Sequence, residues 1–314
     1  GDMLPDVRWR WSKTSEDLFL EEQATRRPAP APAQDALALT ARPGDWTGFR
    51  GPARDGKALG ERVGTEWDSN PPKQLWKRRV GLGWSSFCVV GDFLFTQEQR
   101  LNEDCVVAYD AKTGDERWKF AVAERFIDGV GGDGPRGTPT FDNGRVYALG
   151  ATGKLVCLDA ATGKSSWVRD IGQDASAKPP QWGFSGSPLV IDDLVVALPS
   201  GSDGRGTIAY RKSDGEPVWR AGESQHSYSS PQEVTFFGVK QVLVVSDFGL
   251  ESFNPADGKL LWSHPVPIRG MNRVVQPNVI GEGEVLLGTG AGLGLGTLLI
   301  HVRKRGDAWT AEAG

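Results

Sequence analysis

The sequence has few of the residues that bind metals or cross-link a chain, with only three cysteines and three histidines. Cys88, Cys105 and Cys157 are too few and too widely spaced for a disulfide scaffold or a Cys-x-x-Cys metal site. If Cys88 and Cys105 lie on the first and third strands of one sheet, as the repeat described below indicates, they are roughly 10 Å apart, beyond the about 7 Å limit for a disulfide. We therefore expect buried thiols that act as small hydrophobic side chains.

The histidines are equally scattered. His226, His264 and His301 fall in different repeats, and no carboxylate stands at metal-ligand spacing from them. A Ser-His-Asp triad built on His226 and its neighbouring serines has no further support. Residues 129–134 fit Gly-x-Gly-x-x-Gly, but Pro135 follows and no helix is expected there, so the match does not indicate nucleotide binding. The sequence predicts no catalytic residue and no metal site.

An excess of charge and a continuous apolar span are also missing. Thirty-six Lys and Arg against 40 Asp and Glu give a net charge of -4, which argues against a nucleic-acid partner. The longest uncharged run, residues 285–302, contains five glycines and indicates two strands around a glycine loop, not a membrane span. No charged-then-apolar signal segment opens the chain.

Glycine and tryptophan are abundant, at 41 and 12 residues, and they recur in a repeated motif. The fullest copy comprises Ala108, Asp110, Thr113, Gly114 and Trp118. The tryptophans of the repeat stand roughly 47 residues apart, at Trp76, Trp118, Trp167, Trp219, Trp262 and Trp309.

A second landmark, a small or polar residue followed by proline, recurs out of phase with the tryptophans. After it come two apolar runs around a turn such as Asn143-Gly144, which indicates a β-hairpin. A third strand ends at the Asp of the motif, and a fourth carries the Trp. Four antiparallel strands per repeat are typical of a β-propeller, so we predict an all-β fold with five complete blades. The landmarks are Thr138-Pro139, Ser187-Pro188, Ser230-Pro231 and Gln276-Pro277.

The motif has a structural explanation. Glycine permits the positive φ of a tight turn, the Asp side chain can bond backbone amides, and the Trp is large enough to reach the next blade. We therefore assign a docking role between blades to Asp110, Gly114, Trp118, Asp159, Gly163, Trp167, Gly215, Trp219, Gly258 and Trp262.

The chain divides into an N-terminal arm, residues 1–45, and a propeller, residues 46–314. The arm includes a predicted short helix around 16–20 and a Pro/Ala-rich linker at 26–34. Trp76 falls on a predicted fourth-type strand, 74–80, that has no first three strands before it. We therefore expect the ring to be truncated at the C-terminus.

The pattern Ala-x-Asp-x-x-Thr-Gly-x-x-x-Trp of residues 108–118 resembles the docking motif of the PQQ-like, or quinoprotein-like, β-propeller repeat family. The lead-in 45–52, with Asp55 and Gly56, is similar to the start of exported bacterial members. The resemblance covers about residues 46–311. It implies an exported protein of the periplasm or cell envelope, similar to outer-membrane assembly propeller lipoproteins, in a family whose rings usually have seven or eight blades.

Two functions follow from the resemblance. The first is a non-catalytic binding or scaffold propeller, monomeric, with a protein partner or a small polar ligand. The second is a PQQ-dependent alcohol or sugar dehydrogenase, which in the family uses calcium beside the quinone, a catalytic Asp and two adjacent cysteines. No two cysteines are adjacent here, so we expect no cofactor under the first function and PQQ with calcium only under the second.

The residues before each first strand are predicted to converge on one mouth of the central channel, where propellers bind ligands. Glu98 and Arg100, at the end of a second strand, are predicted to point to the same region. Packing and salt bridges that simply seal the channel are the alternative role for these residues. The ligand-binding candidates are Trp84, Glu98, Arg100, Arg136, Trp182, Tyr228, Arg273 and Gln276.

Overall fold

The computed structural model describes residues 9, 11–25, 39–58, 60, 63–266, 274–289 and 296–314. These residues contain five four-stranded antiparallel sheets that follow one another along the chain. Each sheet pairs its strands in sequence order, so the first and fourth strands form its edges. This arrangement confirms the predicted all-β propeller of four-stranded blades.

The strands are numbered in chain order, four to a blade. Blades one and two contain β1 (Cys88–Val90), β2 (Phe93–Arg100), β3 (Glu103–Asp110), β4 (Glu116–Val122), β5 (Thr140–Asp142), β6 (Arg145–Leu149), β7 (Lys154–Asp159) and β8 (Ser165–Asp170). Blades three to five contain β9 (Leu189–Ile191), β10 (Leu194–Ala197), β11 (Thr207–Arg211), β12 (Pro217–Ala221), β13 (Gln232–Phe236), β14 (Val239–Val245), β15 (Gly249–Phe253), β16 (Leu260–Pro265), β17 (Asn278–Gly281), β18 (Glu284–Gly288), β19 (Thr297–Arg305) and β20 (Ala308–Ala313).

The hairpins form where the turn residues predict them. Asn143 and Gly144 join β5 to β6 with φ angles of 45° and 76°, and two positive φ values match the right-handed twist of the flanking strands. The uncharged run 285–302 lies mainly in β18 and β19, which confirms two strands on either side of the glycine loop.

The hydrophobic core lies between neighbouring blades. Phe95 of β2 packs against Trp118 of its own blade, with ring centroids 5.8 Å apart, and against Phe141 of blade two, at 6.4 Å. Alternate residues of a strand point to opposite faces, and six consecutive residues of β3 are buried. The inner strands of a blade are therefore covered on both faces, as expected for a sheet between two others.

The three cysteines are free and buried. Burial is the main cause that raises the pKa of all three thiols, and it raises that of Cys105 to about 12. Each thiol is therefore protonated at neutral pH and packs as an apolar side chain.

Residues 46–56, which we call the strap, cross the innermost strands of the ring. The first strands of blades one to four contact one another in series. Trp46 and Val89 exchange backbone hydrogen bonds of 2.9 and 2.7 Å. The strap's hydrogen-bonded partners span all five blades: Val89, Phe141, Ser187, Pro188, Pro231 and Asn278.

The predicted strand at 74–80 is wrong, because these residues pair with no strand. Trp76 nevertheless docks on blade one. Its Nε1 donates to the Ala111 carbonyl at 3.0 Å, and a Cβ on Gly114 would lie 2.7 Å from its ring. The indole therefore makes the docking contact of the repeat while no neighbouring strand among the described residues pairs with its backbone.

Helix α1 (Ser15–Ala24) confirms the predicted short helix and begins with a capping box between Thr14 and Asp17. Phe19 is buried beneath the Arg100 guanidinium, which lies 5.1 Å from its ring centroid. The helix therefore lies against blade one. A second helix, α2 (Ile171–Ala175), follows β8, and the linker at 26–34 lies outside the described residues.

Candidate functional site

Each motif tryptophan of the first three blades docks on the Asp–Gly turn of the next blade. Trp118 Nε1 donates to the Ala160 carbonyl at 3.0 Å, and a Cβ on Gly163 would lie only 2.6 Å from the Trp118 ring. Glycine is therefore required both for the positive φ of the turn, 72°, and for the approach of the indole. The same contacts recur for Trp167 with Lys212 (2.9 Å) and Gly215, and for Trp219 with Pro255 (2.8 Å) and Gly258.

The Asp of the motif holds the turn on which the indole docks. Asp110 Oδ1 accepts hydrogen bonds from the backbone N–H groups of Lys112 (2.8 Å) and Thr113 (3.0 Å). Partial burial opposes ionisation, but hydrogen bonds from Arg117 and from these amides lower the pKa of Asp110. The carboxylate therefore stays charged and fixes the loop. These contacts agree with a structural role for the motif.

The candidate binding surface lies in front of the first strands. Gly131 and Gly132 lie between two tryptophans: a Cβ on Gly131 would be 3.1 Å from Trp182, and one on Gly132 would be 3.1 Å from Trp84. The Arg136 guanidinium also approaches the Gly131 position, to 2.7 Å. The structure thus brings three of the predicted residues, Trp84, Arg136 and Trp182, around one glycine pair.

Residues 125–136, which we call the mouth loop, are cross-braced. Asp128 accepts from the Val130 N–H (3.0 Å) and pairs with Arg136 at 3.3 Å. Arg125 pairs with Asp133 at 3.1 Å. Burial, opposed by the Asp128 carboxylate, lowers the pKa of Arg136. The loop is therefore held in one conformation by its own charged groups.

Three apolar side chains of this region face solvent. Trp84 is 67% exposed, Ile127 70% and Val130 78%. A braced loop that exposes large apolar groups is unusual for a surface that only seals a channel, since such groups mark interaction sites when they cluster. Neither Ile127 nor Val130 was among the predicted site residues; their position in a glycine-rich stretch before a first strand was the available signal.

Tyr228 and Gln276 come from blades further along the ring. Tyr228 packs against Trp182 with ring centroids 5.0 Å apart, and its hydroxyl accepts from the Trp182 backbone N–H at 3.2 Å. The Gln276 amide, oriented to satisfy both its groups, donates to the Ser230 carbonyl (3.1 Å) and accepts from the Ser230 N–H (3.0 Å). Both residues are thus engaged by neighbouring blades, and Arg273 lies outside the described residues.

Glu98 and Arg100 were predicted near the mouth, and the structure places them in a separate cluster within blade one. Arg100 contacts Glu98 at 2.5 Å and Glu116 at 2.8 Å, and the Tyr109 hydroxyl lies 3.0 Å from Glu98. Burial alone would lower the pKa of Arg100, but Glu98, Tyr109 and Glu116 raise it above its usual value. The guanidinium also lies over Phe19 of α1.

The alternation of β2 explains this difference. Glu98 and Arg100 point to the face covered by α1, so Gln97 and Gln99, which alternate with them, point to the other face. There Gln97 Nε2 donates to the Gly137 carbonyl at 2.5 Å, and Gln99 Oε1 accepts from the Phe126 N–H at 2.7 Å. The two glutamines therefore support the mouth loop and the strand entry after it, and sequence reasoning missed them because it did not assign faces to β2.

Comparison with known proteins gives a family. Residues 102–314 match the family described as outer membrane protein assembly factor BamB, a PQQ-type repeat family. The match covers β3 and β4 of blade one and all of blades two to five, so the chain belongs to this family.

Two curated relatives match parts of this chain. An outer membrane protein assembly factor BamB of Xanthomonas campestris pv. campestris is 32% identical over 108 residues, which is 34% of this chain and 25% of the relative. A lanthanide-dependent methanol dehydrogenase of Methylacidiphilum fumariolicum is 30% identical over 128 residues, 39% of this chain and 18% of the relative. The matches thus span a quarter or less of the relatives' length.

Among solved structures, a europium-containing methanol dehydrogenase superimposes with a TM-score of 0.55 at 15% identity, covering 83% of this chain and 55% of the other. At this identity the likeness concerns the fold. In the described part of the chain, no helix has the length and apolarity needed to cross a membrane, and no group of His, Cys, Asp or Glu is arranged to hold a metal ion.

Proposed function

Because this chain belongs to the family described as outer membrane protein assembly factor BamB, we propose that it is a non-catalytic scaffold propeller of an exported bacterial protein. The protein would work in the periplasm or cell envelope, and its partner would be another protein. The family match over residues 102–314 supports the class of protein. The exposed Trp84, Ile127 and Val130 on and beside the braced mouth loop carry the proposal that the mouth is the contact surface.

The physical argument is one of preorganisation. Asp128 and Arg136 hold the mouth loop before a partner arrives, so little conformational entropy is lost on binding. The exposed apolar side chains gain from removal of their surface from water. Arg136 and Asp128 satisfy each other, which leaves the apolar tips as the main source of affinity and the charged groups as their support.

Site-specific photocrosslinking in the full-length protein tests this proposal. A benzophenone amino acid replaces Val130 in one variant and Ile127 in a second. Val218, 44% exposed on the outer strand β12, provides the control position. We expect one crosslinked protein at positions 130 and 127 and none at 218. Equal crosslinking at all three positions, or none at the mouth, would reject the mouth as the contact surface.

The methanol dehydrogenase relative supports a second candidate, a PQQ-dependent oxidoreductase. PQQ with calcium would supply the hydride-accepting chemistry. The described residues do not fit this group well, since the thiols of Cys88, Cys105 and Cys157 are buried in separate strands and Asp128 is already held by Arg136. Titration of the full-length protein with PQQ and calcium, together with dye-linked alcohol oxidation, separates the two: stoichiometric binding with turnover would establish the oxidoreductase.

A further inference from the structure

The strap carries a buried arginine whose charge has no carboxylate partner among the described residues. Arg54 is 7% exposed. Its guanidinium donates to the carbonyls of Pro231 (2.5 Å), Pro188 (2.8 Å) and Ser187 (3.2 Å). These bonds use at most three of its five N–H groups, and the carbonyls supply dipoles but no negative charge.

Burial alone accounts for the low proton affinity of this group. Loss of solvent lowers the pKa of Arg54 to about 9, which leaves the guanidinium charged at neutral pH. Arg136, by contrast, has the Asp128 carboxylate beside it. Buried charges are usually paired, so an uncompensated cation in the interior is a candidate for pairing with an anion from solution.

The backbone conformation of the strap directs the Arg54 side chain toward the protein interior. Arg54 has φ 54° and Arg50 has φ 60°, a left-handed conformation that is rare for bulky residues. Turns hold both positions, with hydrogen bonds from the Arg54 N–H to the Gly51 carbonyl (3.0 Å) and from the Gly56 N–H to the Arg50 carbonyl (2.9 Å). Such conformations persist where the surroundings fix them, and they are enriched at ligand sites.

Arg54 lines an open cleft of about 310 Å³ between blades three and four. The cleft walls combine apolar residues, among them Leu189, Val190 and Val234, with polar ones, of which Glu233 and Thr235 are exposed. The lining residues are Pro52, Ala53, Arg54, Leu189, Val190, Glu233, Val234 and Thr235. A molecule that pairs with Arg54 in this cleft would carry one anionic group and place its body against Leu189, Val190 and Val234.

We propose that this cleft binds a small monocarboxylate with an apolar body, whose carboxylate pairs with the Arg54 guanidinium. The planar fork of arginine matches a carboxylate, and the side chains of Leu189, Val190 and Val234 favour a hydrocarbon body over a second charged group. Glu233 at the edge disfavours ligands with two or more negative charges. The site is separate from the mouth loop and does not depend on the function proposed for it.

Isothermal titration of the purified full chain with benzoate tests the proposal, with benzamide as an uncharged probe of the same shape. We expect saturable binding of one benzoate and at least tenfold weaker binding of benzamide. Glu233→Gln removes the negative charge at the edge without touching the strap, and we expect it to tighten benzoate binding about two- to fivefold. Failure to bind benzoate, or equal binding of both probes, would overturn the proposal.

Variants of arginine locate the site. Arg54→Lys keeps the charge but loses the planar fork, and we expect at least tenfold weaker benzoate binding. Arg211→Gln is the matched control, because Arg211 lines a different cleft and already pairs with Asp214 at 2.7 Å. A loss in Arg211→Gln as large as that in Arg54→Lys would reject this cleft as the binding site. If Arg54→Lys does not fold, the Glu233→Gln result decides, and unchanged affinity in that variant would reject the cleft.

Discussion

Trp219 and Trp262 occupy the same position on the fourth strands of blades three and four, yet their indole N–H groups donate to different acceptors. Trp219 donates to the Pro255 carbonyl of the next blade (2.8 Å). Trp262 donates to Gln241 Oε1 within its own blade (2.7 Å). The motif turn of the receiving blade decides the outcome, because blade five has only a short turn at Gly306, where a Cβ would meet nothing within 4 Å.

The comparison shows that docking is a property of two blades together. The tryptophan is supplied by one repeat and its acceptor by the next, so a repeat with a complete motif can still lack the contact. Trp262 remains buried, at 4% exposure, because packing against Phe236 and its neighbours continues without the interblade hydrogen bond. Packing and hydrogen bonding at the interface are therefore separable.

The largest expected effect is that of removing a docking tryptophan. Trp219→Ala should lower the free energy of unfolding by about 3–5 kcal/mol, because it leaves a cavity between two blades. Trp219→Phe should cost less, since most of the apolar contact stays. Urea denaturation with a structural check of the folded state measures both. A loss below 1 kcal/mol for Trp219→Ala would contradict an anchoring role.

The second-largest expected effect compares a turn that receives a docked indole, at Gly163, with one that receives none, at Gly306. Gly163→Ala should cost about 2–4 kcal/mol, because it strains a positive φ and pushes a Cβ against Trp118. Gly306→Ala, with φ 60° and open space around it, should cost only the backbone strain, about 1 kcal/mol. Thermal denaturation of the two variants gives the difference, and equal losses would mean that the indole contact has no energetic role.

A buried carboxylate provides a pH-dependent test of the interface between blades three and four. Glu251 is 3% exposed, and burial, with Glu223 and Asp247 nearby, raises its pKa to about 7. Because the folded state holds this proton more tightly than the unfolded state, with its pKa near 4.3, stability should fall as pH rises from about 4 to 7 and level off above.

Glu251→Gln should therefore be more stable than the parent by about 1–2 kcal/mol at pH 8 and similar to it at pH 5. Urea denaturation at both pH values measures this, with Glu312→Gln, an exposed acid, as the control. If the variant is destabilised equally at the two pH values, ionisation of Glu251 carries no free-energy cost in the folded protein.

The smallest expected effect concerns Trp262, whose N–H donates within its own blade. Gln241→Leu should lower the free energy of unfolding by about 1 kcal/mol. It leaves the Trp262 N–H and the Ser252 hydroxyl, which lies 2.6 Å from Gln241 Oε1, without their acceptor. The loss is partly offset because the substitution also removes a buried amide nitrogen that has no partner in the described residues. Trp219 has no equivalent test, because its acceptor is the backbone carbonyl of Pro255, which no side-chain substitution removes. Fluorescence of the indoles during urea denaturation measures the loss, and unchanged stability would show that packing alone holds Trp262.

Much of the fold was predictable from the sequence because its signals are local. Turn residues such as Asn143 and Gly144 and the β-branched runs around them specify hairpins within a few residues. The interval between tryptophans then gives the number of blades. The strand predicted around Trp76 failed because a strand requires a pairing partner, and the apolar pattern of 74–80 does not reveal whether one exists.

The candidate site was predictable only in part. Trp84, Arg136 and Trp182 lie close together because they precede first strands and the topology brings those positions together, while their role in binding stays a prediction. Glu98 and Arg100 were misplaced because one residue of register decides which face of β2 a side chain occupies. The apolar tips Ile127 and Val130 had no distinguishing pattern in a loop.

The sequence by itself determined the repeat, which consists of a four-stranded blade, its tight turns and a tryptophan on its fourth strand. Only the tertiary structure decided that the strap crosses five blades, that Arg54 is buried with no carboxylate partner among the described residues, and that Trp262 bonds within its own blade. The physical reason is distance along the chain. Hairpins are fixed by neighbouring residues, whereas the partners of Arg54 lie 133 to 177 positions away and are selected only when the blades assemble.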